Sequence, residues 1–349
     1  MTVMIMKHYV PQFYKDFKCA ASKCSDTCCK DWEIVIDDQT RALYNNVSGK
    51  LGNMLKSNIV TDSDGDRIFR LGKNHECPFL DNDRLCMIQK ELGANALCRT
   101  CFAFPKLTLD YTEFTEYALS FACPEAVRYI MKSDSYSVPE ASPVSDENNG
   151  YSNNLMNFLI AARRYTAGIF MSDLPYSEKI ANALAYTDYV QELLYTGNID
   201  ISLLYDVEFT LPESTHSDKD FVFELFSQLD IMDKDFVRDI RQASHCEVFS
   251  GEEFDGELSK QSLYYLHRYY LNAVDSEDVL SCVKSIYCAY AIVSSLVSFY
   301  GAENHPDRRI SIFEKYSREV EHSAENIDTL TEAFFTSPDF STINLLNTI

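Results

Sequence analysis

Nine of the twelve cysteines in this 349-residue chain lie between Cys19 and Cys123; only Cys246, Cys282 and Cys288 follow. The first cluster, CAASKCSDTCCKDW, spaces Cys19, Cys24, Cys28 and Cys29 as C-x4-C-x3-C-C. The second, HECPFLDNDRLCMIQKELGANALCRTCFAFP, carries Cys77, Cys86, Cys98 and Cys101. Its C-x2-C lets one turn present two thiolates to a single metal or cluster, and the DNDR inside the C-x8-C reads as a second turn. Nine is an odd number for disulfides, and no leader is read in the sequence, since Lys7 and His8 interrupt the apolar start. In a reducing compartment such clusters are metal ligands more often than disulfides. The spacing therefore predicts a metal site split across two sequence regions, in a soluble, cytoplasmic protein.

Zinc and an iron–sulfur cluster both accept all-thiolate ligation. Adjacent Cys28 and Cys29 strain simultaneous binding to one small tetrahedral ion, which favours [4Fe-4S], with zinc as the alternative. A radical S-adenosylmethionine motif, C-x3-C-x2-C, fails here: Cys24 and Cys28 supply its first part, but the next ligand position is Asp31.

The net charge of −22 repels nucleic acid and anionic membrane surfaces and draws basic or lysine-bearing partners, although solubility alone is the plainer reading. No stretch is read as a membrane span, the apolar run Ala289 to Val297 being broken by Tyr290, Ser294 and Ser295. Residues 133–150 are rich in Ser, Asp, Asn and Pro and lack apolar periodicity, so they are expected to link a cysteine-rich domain, 1–132, to a second domain, 151–349.

The expected fold is mainly α, with a small α+β cysteine-rich N-terminal region and a helical C-terminal domain. WEIVID alternates like a strand, with Ile34 and Ile36 on one face, before a helix capped by Asp37 or Asp38 and running through Leu43 and Val47. RIFRLG is another short strand. KLTLDY and EFTEYALSF predict a hairpin turning at Tyr111 to Glu113, and Pro124 opens a helix. Downstream, apolar stripes at helical spacing run from Leu155 to Ile169, Phe221 to Leu229, Leu258 to Tyr270, and onward from Ile312. Ser276 is expected to cap a long helix closed by Gly301, with Cys282 and Cys288 as buried thiols. Glycine is scarce, at 11 residues, and no glycine-rich strand-to-helix loop is present, which argues against a Rossmann-like methyltransferase.

The pattern C-x4-C-x3-CC-x2-W-x-I-x-I-D, followed by CPFL-x4-LC, LC-x2-C-x3-P and LSFACPEA, resembles the flagellin lysine-N-methylase (FliB-like) family. FPKL after Cys101 and YSREVEHSAENI at 316–327 extend the likeness, and the CC, CPFL and CR elements also resemble zinc- or iron-chelating domains. The methylase resemblance implies methyl transfer from S-adenosylmethionine to lysine ε-amines of flagellin, with an iron–sulfur cluster in the cysteine region. Its ligand candidates are Cys19, Cys24, Cys28, Cys29, Cys77, Cys86, Cys98 and Cys101, with Cys123 as a further one. The chelating-domain resemblance implies instead a non-catalytic metal-binding or redox-sensing interaction module.

No catalytic residue stands out from the sequence. Arg318, Glu321, His322 and Asn326 crowd one helical segment, and Arg318 and His322 share a face. They are candidate cofactor contacts, although a solvated helix face is the plainer reading. His75 reads as a surface-loop histidine.

Overall fold

The computed structural model describes residues 7–133, 136–144, 150–205, 207, 209, 211 and 218–349. The apolar start, Met1 to Met6, and residues 134–135 and 145–149 of the expected linker lie outside the described residues.

The apolar residues gather into two cores. The smaller, hereafter the lobe, joins Ile34, Ile36, Tyr44, Leu51, Leu55, Phe69, Phe79 and Ile88 with Cys77 and Cys98. The larger, the body, begins with Phe13, resumes at Tyr111 and runs through the helices to Leu346.

Three strands flank the body: β1 (Lys7–Tyr9), and the hairpin of β4 (Lys106–Asp110) and β5 (Phe114–Leu119). The order is β1-β5-β4, with β1 parallel to β5 and β4 antiparallel to it. The turn falls at the expected place: Thr112 has φ +67°, and its N–H donates to Asp110 Oδ1 at 3.0 Å. In the lobe, β2 (Ile59–Thr61) pairs antiparallel with β3 (Arg67–Phe69). WEIVID makes only an isolated bridge, Val35 to Ile68, rather than a full strand; Ile36 N–H donates to the Arg67 carbonyl at 2.7 Å and Phe69 N–H to the Ile34 carbonyl at 3.3 Å. Ile34 and Ile36 are buried and Val35 is exposed, as the alternation requires.

The helices of eight residues or more are α1 (Asp38–Asn45), α2 (Gly49–Asn58), α3 (Pro124–Met131), α4 (Asn153–Phe170), α5 (Tyr176–Tyr195), α6 (Lys234–Ala243), α7 (Glu252–Tyr269), α8 (Leu280–Phe299), α9 (Pro306–Glu321) and α10 (Ala324–Thr336). This is a mainly helical fold. No Rossmann-like sheet occurs among the described residues.

Asp37 caps α1 through Thr40 N–H at 2.9 Å. That helix turns Tyr44 inward and leaves Leu43 exposed, and it ends at Asn45, short of Val47. Pro124 opens α3, where a missing N–H costs nothing. α8 is the spine of the body and touches α5, α6, α7 and α9. It starts at Leu280, four residues past Ser276, because Asp278 Oδ1 and Gln191 Oε1 accept its first N–H groups. Gly301, at φ +59°, closes it as expected. α8 is also long and apolar enough to cross a membrane by length and composition, contrary to the reading of the run Ala289 to Val297; its spanning window is 78% buried inside the protein. Cys282 and Cys288 are buried on it.

Residues assigned by sequence to the cysteine-rich domain or the linker also build the body. Phe114, Phe121, Val127, Tyr136, Val138, Ala141 and Val144 are all in the larger core. A fully buried ion pair anchors this join: Arg163 on α4 donates to both oxygens of Glu116 on β5, at 2.8 and 2.6 Å. His267 lies alongside, its Nδ1 3.3 Å from Tyr136 Oη and its Nε2 3.5 Å from Glu116.

Candidate metal centre and the helix face beside it

The two cysteine clusters meet through backbone pairing. Cys77 N–H donates to the Cys29 carbonyl at 2.7 Å, Asp31 N–H donates to the His75 carbonyl at 3.0 Å, and Lys30 bridges Glu76. The DNDR segment is a turn: Asp81 Oδ1 accepts from Asp83 and Leu85 N–H at 2.9 Å each, and Leu80 bridges Cys86. Cys98 stands immediately before the short helix Arg99–Ala103, which carries Cys101. Asp37 holds that helix in place, its Oδ2 accepting from Arg99 N–H at 2.9 Å. These bonds hold the Asp37 carboxyl at about 2, the Arg99 and Thr40 N–H groups contributing most.

Six thiols therefore neighbour one another: Cys28, Cys29, Cys77, Cys86, Cys98 and Cys101. Cys98 and Cys101 touch thiol to thiol. The hydrogen bond from Cys101 brings Cys98 down to about 7 and pushes Cys101 up. Cys28 is raised by its contact with Cys29 and by burial; Cys77 is pushed up to about 12, mainly by burial, and Cys86 is raised for the same reason. Cys24, Cys19 and Cys123 form an outer group that reaches Cys28. His75 is exposed on its loop, as expected.

Among the described residues, no three His, Cys, Asp or Glu side chains converge on one point as they do around a bound ion. The donor set nonetheless fits a thiophilic group in kind and number. Six thiols lie together, and soft thiolates select zinc or iron–sulfur clusters.

The polar segment beside this pocket is not a solvated helix face. Arg318, Glu321 and Asn326 are buried, because the end of α9 packs between the body and the cysteine loop. Arg318 donates to Asp26 Oδ2 at 2.9 Å, between Cys24 and Cys28, and pairs with Glu314. Burial pushes the Glu314 carboxyl up to about 8, against the pull of Arg318.

His322 packs against Trp32 and Phe104, with ring centroids 5.7 and 6.2 Å away, and its Nε2 lies 3.1 Å from Ser120 Oγ. Trp32 Nε1 donates to the Cys28 carbonyl at 2.6 Å. Burial, with Arg268 and Arg318 nearby, brings His322 down to about 4, so its ring is neutral at pH 7.

Glu321 Oε2 accepts from Tyr264 Oη, Tyr269 Oη and Arg268 at 2.7, 2.8 and 2.9 Å. Asn326 points elsewhere: its amide is spent on Asp230 N–H, the Asp230 carbonyl and the Glu319 carbonyl. Sequence reasoning gave no role to Asp26, Phe104 and Arg268, and Trp32 entered it only within the CC-x2-W pattern. Only the placement of Trp32 three residues after Cys29 hinted at its role.

Three curated proteins are similar to part of this chain. The flagellar biosynthetic protein FliU of Salmonella muenchen is 37% identical over 126 residues, which is 35% of this chain and 75% of FliU. The chain belongs to the FliB-like family. The lysine-N-methylases of Salmonella choleraesuis and Salmonella typhimurium are each 35% identical over 150 residues, 39% of this chain. The chain spans about a third, 34%, of the length of those two FliB-like relatives. No protein-family profile and no solved structure matches it.

Proposed function

We propose that this protein is a protein-lysine N-methyltransferase that moves the methyl group of S-adenosylmethionine to lysine ε-amines of flagellin in the cytoplasm. The similarity to proteins named lysine-N-methylase carries this reading. In such a transfer the deprotonated amine attacks the sulfonium methyl carbon. The new C–N bond forms as the C–S bond breaks, its electrons stay on sulfur to leave S-adenosylhomocysteine, and the amine proton passes to a base.

The six neighbouring thiols would hold the metal group, with [4Fe-4S] favoured over zinc by the adjacency of Cys28 and Cys29. Once bound, such a group supplies ligation energy that ties separate loops together. The chain's own residues supply the rest. Trp32 and Phe104 offer aromatic faces to a cation. His322 is a neutral imidazole at the join, and Arg318 is a fixed positive charge beside the thiol loop.

The test is to incubate anaerobically purified protein with flagellin and methyl-labelled S-adenosylmethionine. Label on lysine is expected. An intact metal centre with no lysine label would defeat the reading and leave a metal-binding interaction module. The visible spectrum of the same sample separates coloured iron–sulfur from colourless zinc.

A further inference from the structure

An open cleft of about 610 Å³ is lined by the thiol loop and the helical body together, and small-molecule sites occupy roughly 300–1,000 Å³. Ser25, the residue after Cys24, lines it from the loop, and the body lines it from α3, α6, the end of α8 and α9.

Its apolar wall is Phe236 on α6, Ile312 on α9 and Tyr300 just past α8. Phe236 and Ile312 are almost wholly buried and still line the cleft, so it reaches down to the core of the body. A flat ring entering here meets aromatic and aliphatic faces.

Most of the polar wall is already paired. Arg128 is held by Glu125 and by Asp307 Oδ1. Lys315 pairs with Asp233 and lies 5.2 Å over the Phe236 ring, and Tyr300 Oη donates to Asp239. Two groups are left over, and they adjoin in sequence. Arg308 has no carboxylate partner, only a long bond of 3.5 Å from Nη1 to the Tyr300 carbonyl. Asp307 gives Oδ1 to Arg128, and its Oδ2 receives no donor. Both residues are exposed. A free guanidinium fork beside a free carboxylate oxygen complements the zwitterionic head of an amino acid, carboxylate to arginine and ammonium to aspartate.

Charge narrows the ligand further. The three cations of the wall, Arg128, Arg308 and Lys315, stand against four carboxylates, those of Asp307, Glu125, Asp233 and Asp239. Arg238 and Asp235, next outward, cancel each other. A surplus of one negative charge suits a ligand of net charge +1. S-adenosylmethionine has that charge, from one carboxylate, one ammonium and one sulfonium, and it joins an amino-acid head to a flat purine.

We propose that this cleft is the S-adenosylmethionine site, with Arg308 holding the carboxylate, Asp307 the ammonium, and Phe236, Tyr300 and Ile312 the purine. The proposal rests on the methyltransferase reading for the identity of the ligand. It puts the grip on the cofactor in the body, with the thiol loop contributing one side through Ser25.

The test is calorimetry on the metal-loaded protein with three probes: S-adenosylhomocysteine, adenosine and methionine. S-adenosylhomocysteine is expected to bind about tenfold or more tightly than either fragment, because it engages both ends of the cleft. Arg308→Glu and Ser311→Trp sit at exposed positions of the cleft wall, where the fold tolerates change. Each is expected to weaken S-adenosylhomocysteine about tenfold or more, the first by reversing the charge beside the carboxylate and the second by filling the cleft. Arg308→Glu should also weaken methionine and leave adenosine within about twofold, a split that a damaged fold would not produce. Unchanged S-adenosylhomocysteine affinity in either variant overturns the proposal. So does a fragment that binds as tightly as the whole, or a wild-type protein that ignores S-adenosylhomocysteine. A wild type that binds it in the cleft yet puts no methyl on lysine defeats the methyltransferase reading and leaves this site standing. Lysine methylation by a protein whose two variants bind S-adenosylhomocysteine normally keeps that reading and removes this site.

Discussion

The lobe and the body are built on different principles. The body has long helices whose apolar stripes bury one another around α8, and it buries the ion pair of Glu116 and Arg163. The lobe has three-residue strands, short helices and cysteines where a core would have larger apolar side chains. A body of this kind folds on its own burial, whereas a small cysteine-rich unit draws much of its folding energy from ligation. Substitutions in one region should therefore fail to mimic those in the other.

The largest difference is expected at the thiols. Structural thiolate sites contribute roughly 10–16 kcal/mol of apparent binding energy, far more than a core this small supplies. Cys98→Ala should release the metal and expose the segment between Cys24 and Phe104 to protease, while α4 to α10 stay folded. Metal analysis and mapped proteolysis check it. Unchanged metal content in both Cys98→Ala and Cys101→Ala would remove these thiols from the site.

Next comes the buried pair of the body. Glu116→Ala leaves Arg163 charged and unpaired in a dry core, at a cost of about 3–5 kcal/mol. Replacing both partners with leucine should restore much of that. The urea midpoint of the body transition measures it, and metal content should hardly change.

The pH response comes third. Burial brings His267 down to about 3, below its ordinary value near 6.5. The folded protein therefore stays neutral there while the unfolded chain takes up a proton. Stability from this group is full above pH 6.5 and falls as the pH drops towards 3, by up to about 1.4 kcal/mol per unit. His267→Gln should flatten that slope in denaturation series between pH 7 and 5.

How much of this was legible follows the same division. Helix stripes and the hairpin could be read because burial repeats with a local period, and Phe158, Leu159 and Ala162 show it plainly. The thiol pocket was legible as a list of cysteines. Their sorting into an inner six and an outer group with Cys123 depends on backbone pairing between residues 29 and 77, which spacing does not encode. The α9 face was misread as solvated because Arg, Glu and His signal exposure in sequence, whereas here Asp26, Trp32 and Tyr264 cover them. Long-range cover of this kind leaves no periodic trace.

The smallest effect sharpens the comparison most. Asp37 caps α1 and also accepts from Arg99 N–H, so one carboxylate ties two pieces of the lobe without touching a thiol. Its carboxyl is lowered to about 2, so this contribution is present above the ordinary value near 4 and lost as the pH falls through 2. Asp37→Ala should cost about 1 kcal/mol, as lost caps do. In the metal-loaded protein ligation should mask a loss of that size. In the metal-free protein the lobe has little else, and protease sensitivity between Cys24 and Phe104 should rise. Equal sensitivity of wild type and variant in the metal-free state would mean that the lobe has no residual fold for Asp37 to hold. Equal sensitivity in both proteins with metal bound, and a difference without it, would show that hydrogen bonds shape the lobe and ligation then locks it.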